Sequence, residues 1–247
     1  MANMDEAMDV CLLAGKIMLQ NGAETYRVED TMTRMGIAFT GCLPQSYVTP
    51  TAIIFSFDGS NSTRMVRIEE RTTDLQKVVL VNQISRMVSS GRLSLSEARS
   101  KLKGIEAMSH SFPVWLQILF AAIASGCFLI MFGGIWRDFA PAFVTGGIGH
   151  AAFIYFNRWI KVHFFAEFLA SFIIGCLAYL FTQSGLGIHF DTITIGSVMS
   201  LVPGLLITNA IRDLMEGHLV SGISKGAEAF LTAFAIGTGI AMVLAFF

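Results

Sequence analysis

The chain has 247 residues, 53% of them hydrophobic and 14% charged, with 17 Lys and Arg against 18 Asp and Glu. That balance suits a membrane protein better than a soluble one. A net charge of −1 gives no footing for nucleic acid.

The charges are uneven, since 12 of the 17 basic and 12 of the 18 acidic residues lie in residues 1–110. We therefore place a boundary near residue 110. A domain of soluble composition, 1–110, precedes a membrane domain, 111–247. The N-terminus MANMDEAMDV is acidic and has no continuous apolar core, which predicts no cleavable signal peptide and makes the first span the targeting element. Cys11, Cys42, Cys127 and Cys176 have neither CxxC nor zinc spacing and are expected to be free thiols.

In chain order, residues 4–20 place Met4, Met8, Cys11, Leu12, Gly15, Met18 and Leu19 on one helical stripe that stops at Asn21-Gly22. A second helix is predicted over about 24–39, with Val28, Met32, Met35 and Phe39 inward and Asp30 and Arg34 paired on the outside. Gly22 ends the first helix. Glu24, Arg27 and Glu29 either reach the membrane part or a partner, or form a solvated face. Residues 47–57 and 63–69 are β-branched and aromatic, with Asp58-Gly59-Ser60-Asn61 between them as a turn. They read as a hairpin with Pro50 at an edge or bulge. Thr73-x-x-Gln76 and Ser94-x-x-Glu97 read as capping boxes that open helices through residue 88 and about residue 108. The first domain is thus predicted to be α+β.

Five spans are predicted, at about 114–132, 139–156, 163–183, 192–211 and 226–247. Pro113 and Trp115 suit the start of the first. With domain 1–110 in the cytosol, the inner connections hold Lys101, Lys103, Arg158, Lys161, Arg212 and Lys225, and the outer ones only Arg137. That satisfies the positive-inside rule and puts the C-terminus outside. The expected fold is an α-helical multi-pass membrane protein with five transmembrane helices and an N-terminal α+β cytosolic domain.

The fourth span carries the most unusual chemistry. Pro203-Gly204 interrupts it near its middle, which predicts a kink or break. A break at membrane depth is tolerated only beside protein or a wet cavity. Asn209, Arg212, Asp213 and Glu216 follow. Gly196, Ser200, Gly204 and Thr208 repeat every four residues and offer a face for close helix approach. The stretch is either a kinked packing helix, which leaves open a membrane sensor or scaffold that transports nothing, or a substrate-path helix. In the second reading Pro203, Gly204 and Asn209 border the path and Asp213 lies at its cytosolic mouth. Glu167 and Glu228 enter spans three and five from the cytosolic side and either join that path or snorkel to the interface. Span five continues the small-residue theme with Ala229, Ala233, Gly237, Ala241 and Ala245.

Other chemistries find no support. Gly222-Ile223-Ser224-Lys225-Gly226 fits G-x-S-x-G, but no strand precedes it and no His follows Ser224. The same residues fit GxxxG helix packing. His150 and His189 fall at opposite ends of adjacent segments, so no metal site is expected. No G-x-x-x-x-G-K-[ST] sequence occurs, which argues against ATP drive in this chain.

Two stretches carry a family resemblance. VPG…NAIRD…EGHLVSGI…EA, within residues 202–229, and NGAETYRVEDTMTRM, residues 21–35, together resemble the threonine/serine exporter family of bacterial membrane proteins. The resemblance covers nearly the whole chain. It implies a secondary exporter of the cytoplasmic (inner) membrane rather than an enzyme, with no cofactor. Its cargo would be a small amino acid such as threonine or serine, or a small carboxylate. It further implies the longer chain of a split transporter, whose partner is a second, shorter membrane subunit of the same family. An odd span count without an internal repeat points the same way, because transporters are often built from two related halves.

Overall fold

A computed structural model describes residues 4–59, 62–108, 112–160 and 164–246. Ser60 and Asn61 of the expected turn, the boundary residues 109–111, Lys161, the expected start of span three at 163 and the last residue of the chain lie outside the described residues. The molecule is mostly helical and packs as two compact units. The first unit joins the N-terminal 110 residues to Leu205–Gly226, and the second comprises Ser111–Gly204 and Ala227–Phe247.

In the first unit α1 (Met4–Gln20) is the central rod. Ala7, Met8, Val10, Cys11, Ala14, Ile17 and Met18 are all buried, so the helix is apolar nearly all round, as a helix enclosed on every side must be. Gly15 lets Met32 of α2 (Thr25–Thr40) approach closely. Gly22, at φ +90, turns the chain between the two helices, a conformation that costs glycine little. Gly41, at φ +73, ends α2 with its N–H on the Ile37 carbonyl.

Three antiparallel strands follow in the order β1 (Pro44–Thr49), β2 (Ala52–Phe57) and β3 (Thr63–Arg67). Ile53, Phe55 and Phe57 alternate into the core. Thr49 pairs with Ala52, so Pro50 sits in a two-residue turn. This corrects the single strand expected over 47–57. Proline cannot donate to a ladder, and here it makes the corner rather than an edge.

Helix α3 (Leu75–Ser89) is capped by Asp74, whose carboxylate accepts the Lys77 N–H, instead of by Thr73. The Ser94–Glu97 capping box opens α4 (Leu95–Ala107) as its spacing predicts. One apolar core runs through α1, α2, the sheet, α3 and α4.

The second unit holds α5 (Val114–Met131), α6 (Trp136–Trp159), α7 (Phe165–Gln183), α8 (Phe190–Val198) and the greater part of α10 (Leu219–Phe246). Among the described residues four helices are long and apolar enough to cross a membrane, namely α5, α6, α7 and α10. The expected span at 192–211 is not a continuous helix. Helix α8 has nine residues, about 14 Å of the roughly 30 Å required. Residues 199–203 are non-helical, and α9 (Gly204–Met215) begins just after Pro203. Pro203 lacks the N–H that would carry the α8 ladder onward.

Helix α9 is inside out by the standards of a water-soluble protein. Asn209, Ala210 and Asp213 are buried, while Leu205, Ile211 and Leu214 are exposed and Met215 is 81% exposed. Such an outer face is out of place in water.

Candidate functional site

The polar residues of the two motif stretches meet inside the first unit. Helix α2 starts with Thr25, whose backbone N–H has no partner within the helix, and Glu24 does not cap it. The cap arrives from 188 residues away. Asp213 of α9 accepts the Thr25 N–H through Oδ1 at 2.9 Å and the Thr25 hydroxyl through Oδ2 at 2.8 Å. A carboxylate at this end also meets the positive pole of the α2 dipole.

Lys225 completes the group, donating to Asp213 Oδ2 at 2.7 Å and to Thr25 Oγ1 at 3.3 Å. The side chains of Asp213 and Lys225 are 0% and 6% exposed, so the pair is buried and each charge depends on the other.

The local sequence explains how both reach Thr25. Gly217, at φ +86, makes the reversal after α9, and the His218 N–H bonds the Asp213 carbonyl. Helix α10 then returns along α9. A side chain at Gly222 would come within 3.0 Å of the Ala210 carbonyl, so the glycine permits that approach. The GxxxG reading of Gly222 and Gly226 matches this packing.

One turn before Asp213, Asn209 donates its amide to the Gly22 carbonyl at 3.0 Å. Arg212 pairs with Glu24, which also takes Arg27 at 3.0 Å. Burial opposes ionisation of Glu24, but its backbone hydrogen bond, Arg27 and Arg212 outweigh it and hold the carboxyl below its ordinary value. Glu29 accepts the Val48 N–H at 3.0 Å, with His218 at 3.9 Å. Burial pushes the Glu29 carboxyl up, His218 and the Val48 N–H pull it down, and Asp213 adds to the rise. Ser221 donates to the Val48 carbonyl at 3.1 Å.

Of the residues singled out in the sequence, Gly22, Glu24, Arg27, Glu29, Asn209 and Asp213 thus belong to one connected region. Glu24 and Glu29 are not a solvated face. Asn209 and Asp213 hydrogen-bond protein groups, Asn209 the Gly22 carbonyl and Asp213 both Thr25 and Lys225. Pro203, Gly204, Glu167 and Glu228 belong to the second unit. Pro203, Glu167 and Glu228 are half-buried there, and Gly204 is exposed, with open space where a side chain would stand. Thr25, Ser221 and Lys225 were not legible as site residues. Lys225 lies 12 residues beyond Asp213, and only the turn at Gly217 brings them together.

The second unit has a buried acid of its own. Asp138, in the first turn of α6, is fully buried and accepts the Ile188 N–H at 2.6 Å, with His189 Nδ1 at 2.9 Å. Among the described residues no cluster of His, Cys, Asp and Glu could hold a metal ion.

The sequence matches the family described as "Putative threonine/serine exporter" over residues 9–247. It is 25% identical to "Probable succinate transporter subunit YjjP" of Klebsiella aerogenes, over 95% of this chain and 92% of that protein. It is 26% identical to the protein of the same name from Escherichia coli K12, with the same coverage. It is 23% identical to "Probable threonine/serine exporter" of Mycobacterium tuberculosis, over 92% of this chain and 44% of that protein. No solved structure matches. With both motif stretches inside the matched residues, the chain belongs to the threonine/serine exporter family, a family of membrane transporters rather than enzymes.

Proposed function

We propose that the chain is one subunit of a two-polypeptide secondary exporter, and that its cargo is a small metabolite bearing a carboxylate. The observation that carries this reading is the pattern of coverage. The chain aligns along nearly the whole of two relatives whose names call them transporter subunits. It aligns with less than half of the relative named as an exporter without that word. A second, shorter membrane subunit of the family would supply the remainder. Threonine or serine, and a dicarboxylate such as succinate, are the two cargo classes, and both carry the group argued for below.

In this reading the protein sits in a bacterial inner membrane with residues 1–110 in the cytosol. The chain crosses five times, with 192–211 as the fourth and interrupted crossing, which puts the C-terminus outside. Broken crossings of this kind are usual where a transporter meets its cargo. The apolar outer face of α9 supports a place against lipid. The small residues Ala233, Gly237, Ala241 and Ala245 lie exposed along α10 and suit contact with a partner helix.

The experiment is efflux of preloaded labelled succinate, threonine and serine from cells carrying this chain, its partner, both or neither. Efflux of at least one cargo is expected only with both. Full efflux with this chain alone would refute the subunit assignment.

A further inference from the structure

Within the second unit, α5, α6 and α8 pack on one another. Ser197 of α8 donates to the Ala142 carbonyl of α6 at 3.3 Å. A side chain at Gly146 would lie 3.6 Å from the Ser197 Cα and would strike Ser125 of α5. The two helices run the same way. Ile188, just before α8, meets Asp138 in the first turn of α6, and Leu201, just after α8, joins one apolar cluster with Phe153.

Among the described residues, Thr145 Oγ1 on α6 and Thr194 Oγ1 on α8 are buried without a hydrogen-bond partner, as are His150 Nδ1 further along α6 and Ser200 Oγ in the break. Thr145 is 0% and Thr194 4% exposed. Thr145 lies one turn along α6 from Ala142, and Thr194 one turn along α8 from Ser197. A hydroxyl in a helix ordinarily satisfies itself on a carbonyl one turn back. Ser125, Ser171, Thr182 and Thr238 of the same unit all do so. Thr145 and Thr194 do not. A buried polar atom left unpaired is destabilising, so it calls for a partner, a water or a ligand.

We propose that this seam is the cargo-binding site, and that the Thr145 and Thr194 hydroxyls donate to a carboxylate there. Both hydroxyls can donate, and neither side chain is itself an acid. The inference rests on the reading that the chain carries cargo, and it names where that cargo binds.

The test uses the full chain with its second subunit. The double variant Thr145→Val with Thr194→Val is compared with Thr145→Ser with Thr194→Ser, which keeps the hydroxyls. Binding is read as the shift in unfolding temperature with succinate, L-threonine or succinamide, the uncharged analogue, and transport as efflux from loaded cells. Wild type and the Ser pair are expected to respond to succinate, threonine or both, and not to succinamide. The Val pair is expected to accumulate and unfold normally, bind at least tenfold more weakly and lose most efflux. The single Val variants, with smaller losses in the same direction, serve if the pair fails to accumulate. A folded Val variant that binds and exports like wild type would overturn the site while leaving the exporter reading intact. That result would mark the seam as a place for buried water. Wild type that neither binds nor exports any of these carboxylates would overturn the exporter reading and the site with it.

Discussion

Asp213→Ala is expected to be among the most damaging single substitutions in the first unit. It strands the Lys225 ammonium, 6% exposed, leaving it the hydrogen bond to Thr25 Oγ1. Removing one member of a buried ion pair typically costs about 3–5 kcal/mol, most of it the uncompensated charge. The change also uncaps α2, adding about 1 kcal/mol. Asp213→Asn keeps an acceptor for Thr25 and should cost less. Combining Asp213→Leu with Lys225→Met removes both charges and should recover much of the loss, because a buried pair contributes little over apolar residues of similar size. Two units need not unfold together, so the measurement is amide exchange in the first turn of α2, read beside the global unfolding temperature. Equal protection in wild type and Asp213→Ala would show that the pair does not hold α2.

The second large effect is steric. A side chain at Gly239 of α10 would come within 2.5 Å of the Phe168 carbonyl on α7, and one at Gly196 of α8 within 2.9 Å of the Ser125 carbonyl on α5. Backbone atoms cannot rotate aside as a flexible side chain would. Gly239→Ala and Gly196→Ala should therefore each cost about 1–3 kcal/mol or more, and leucine at either position should block assembly of the helices. Gly204→Ala should be nearly silent, since nothing lies within 4 Å of where its Cβ would stand. The measurement is the amount of folded, membrane-inserted protein per cell. Normal levels of Gly239→Leu would contradict the packing of α10 on α7.

These glycines show what the sequence could and could not reveal. Gly196, Ser200, Gly204 and Thr208 repeat every four residues and read as one continuous face. The break after Val198 destroys that face, so Gly196 is packed and Gly204 is open. In α10 the regular small stripe includes Gly237, which is exposed, while Gly239 off the stripe makes the close contact. Spacing along a helix identifies a face but not what that face meets.

Elements set by local chemistry were legible. The Ser94–Glu97 capping box, the stop at Gly22 and the helices around them follow from capping and periodicity. Pro50 was misplaced because a proline that makes a turn and one at a strand edge look alike without the pairing partner. The buried network was half legible. Asp213 and Asn209 stood out as polar residues beside an apolar run. Their partners Thr25 and Gly22 are almost 190 residues away, and no periodicity links them. Thr145 and Thr194 are ordinary threonines in a sequence, and only the missing hydrogen bond sets them apart.

The most direct test of the exporter assignment is reconstitution. The chain and its second subunit are placed together in liposomes preloaded with labelled succinate or threonine, and efflux is followed with each subunit alone as control. The account predicts release of at least one carboxylate cargo well above protein-free liposomes when both subunits are present, and none above background with either alone. Release equal to protein-free liposomes for every carboxylate, with both subunits inserted and folded, would contradict it.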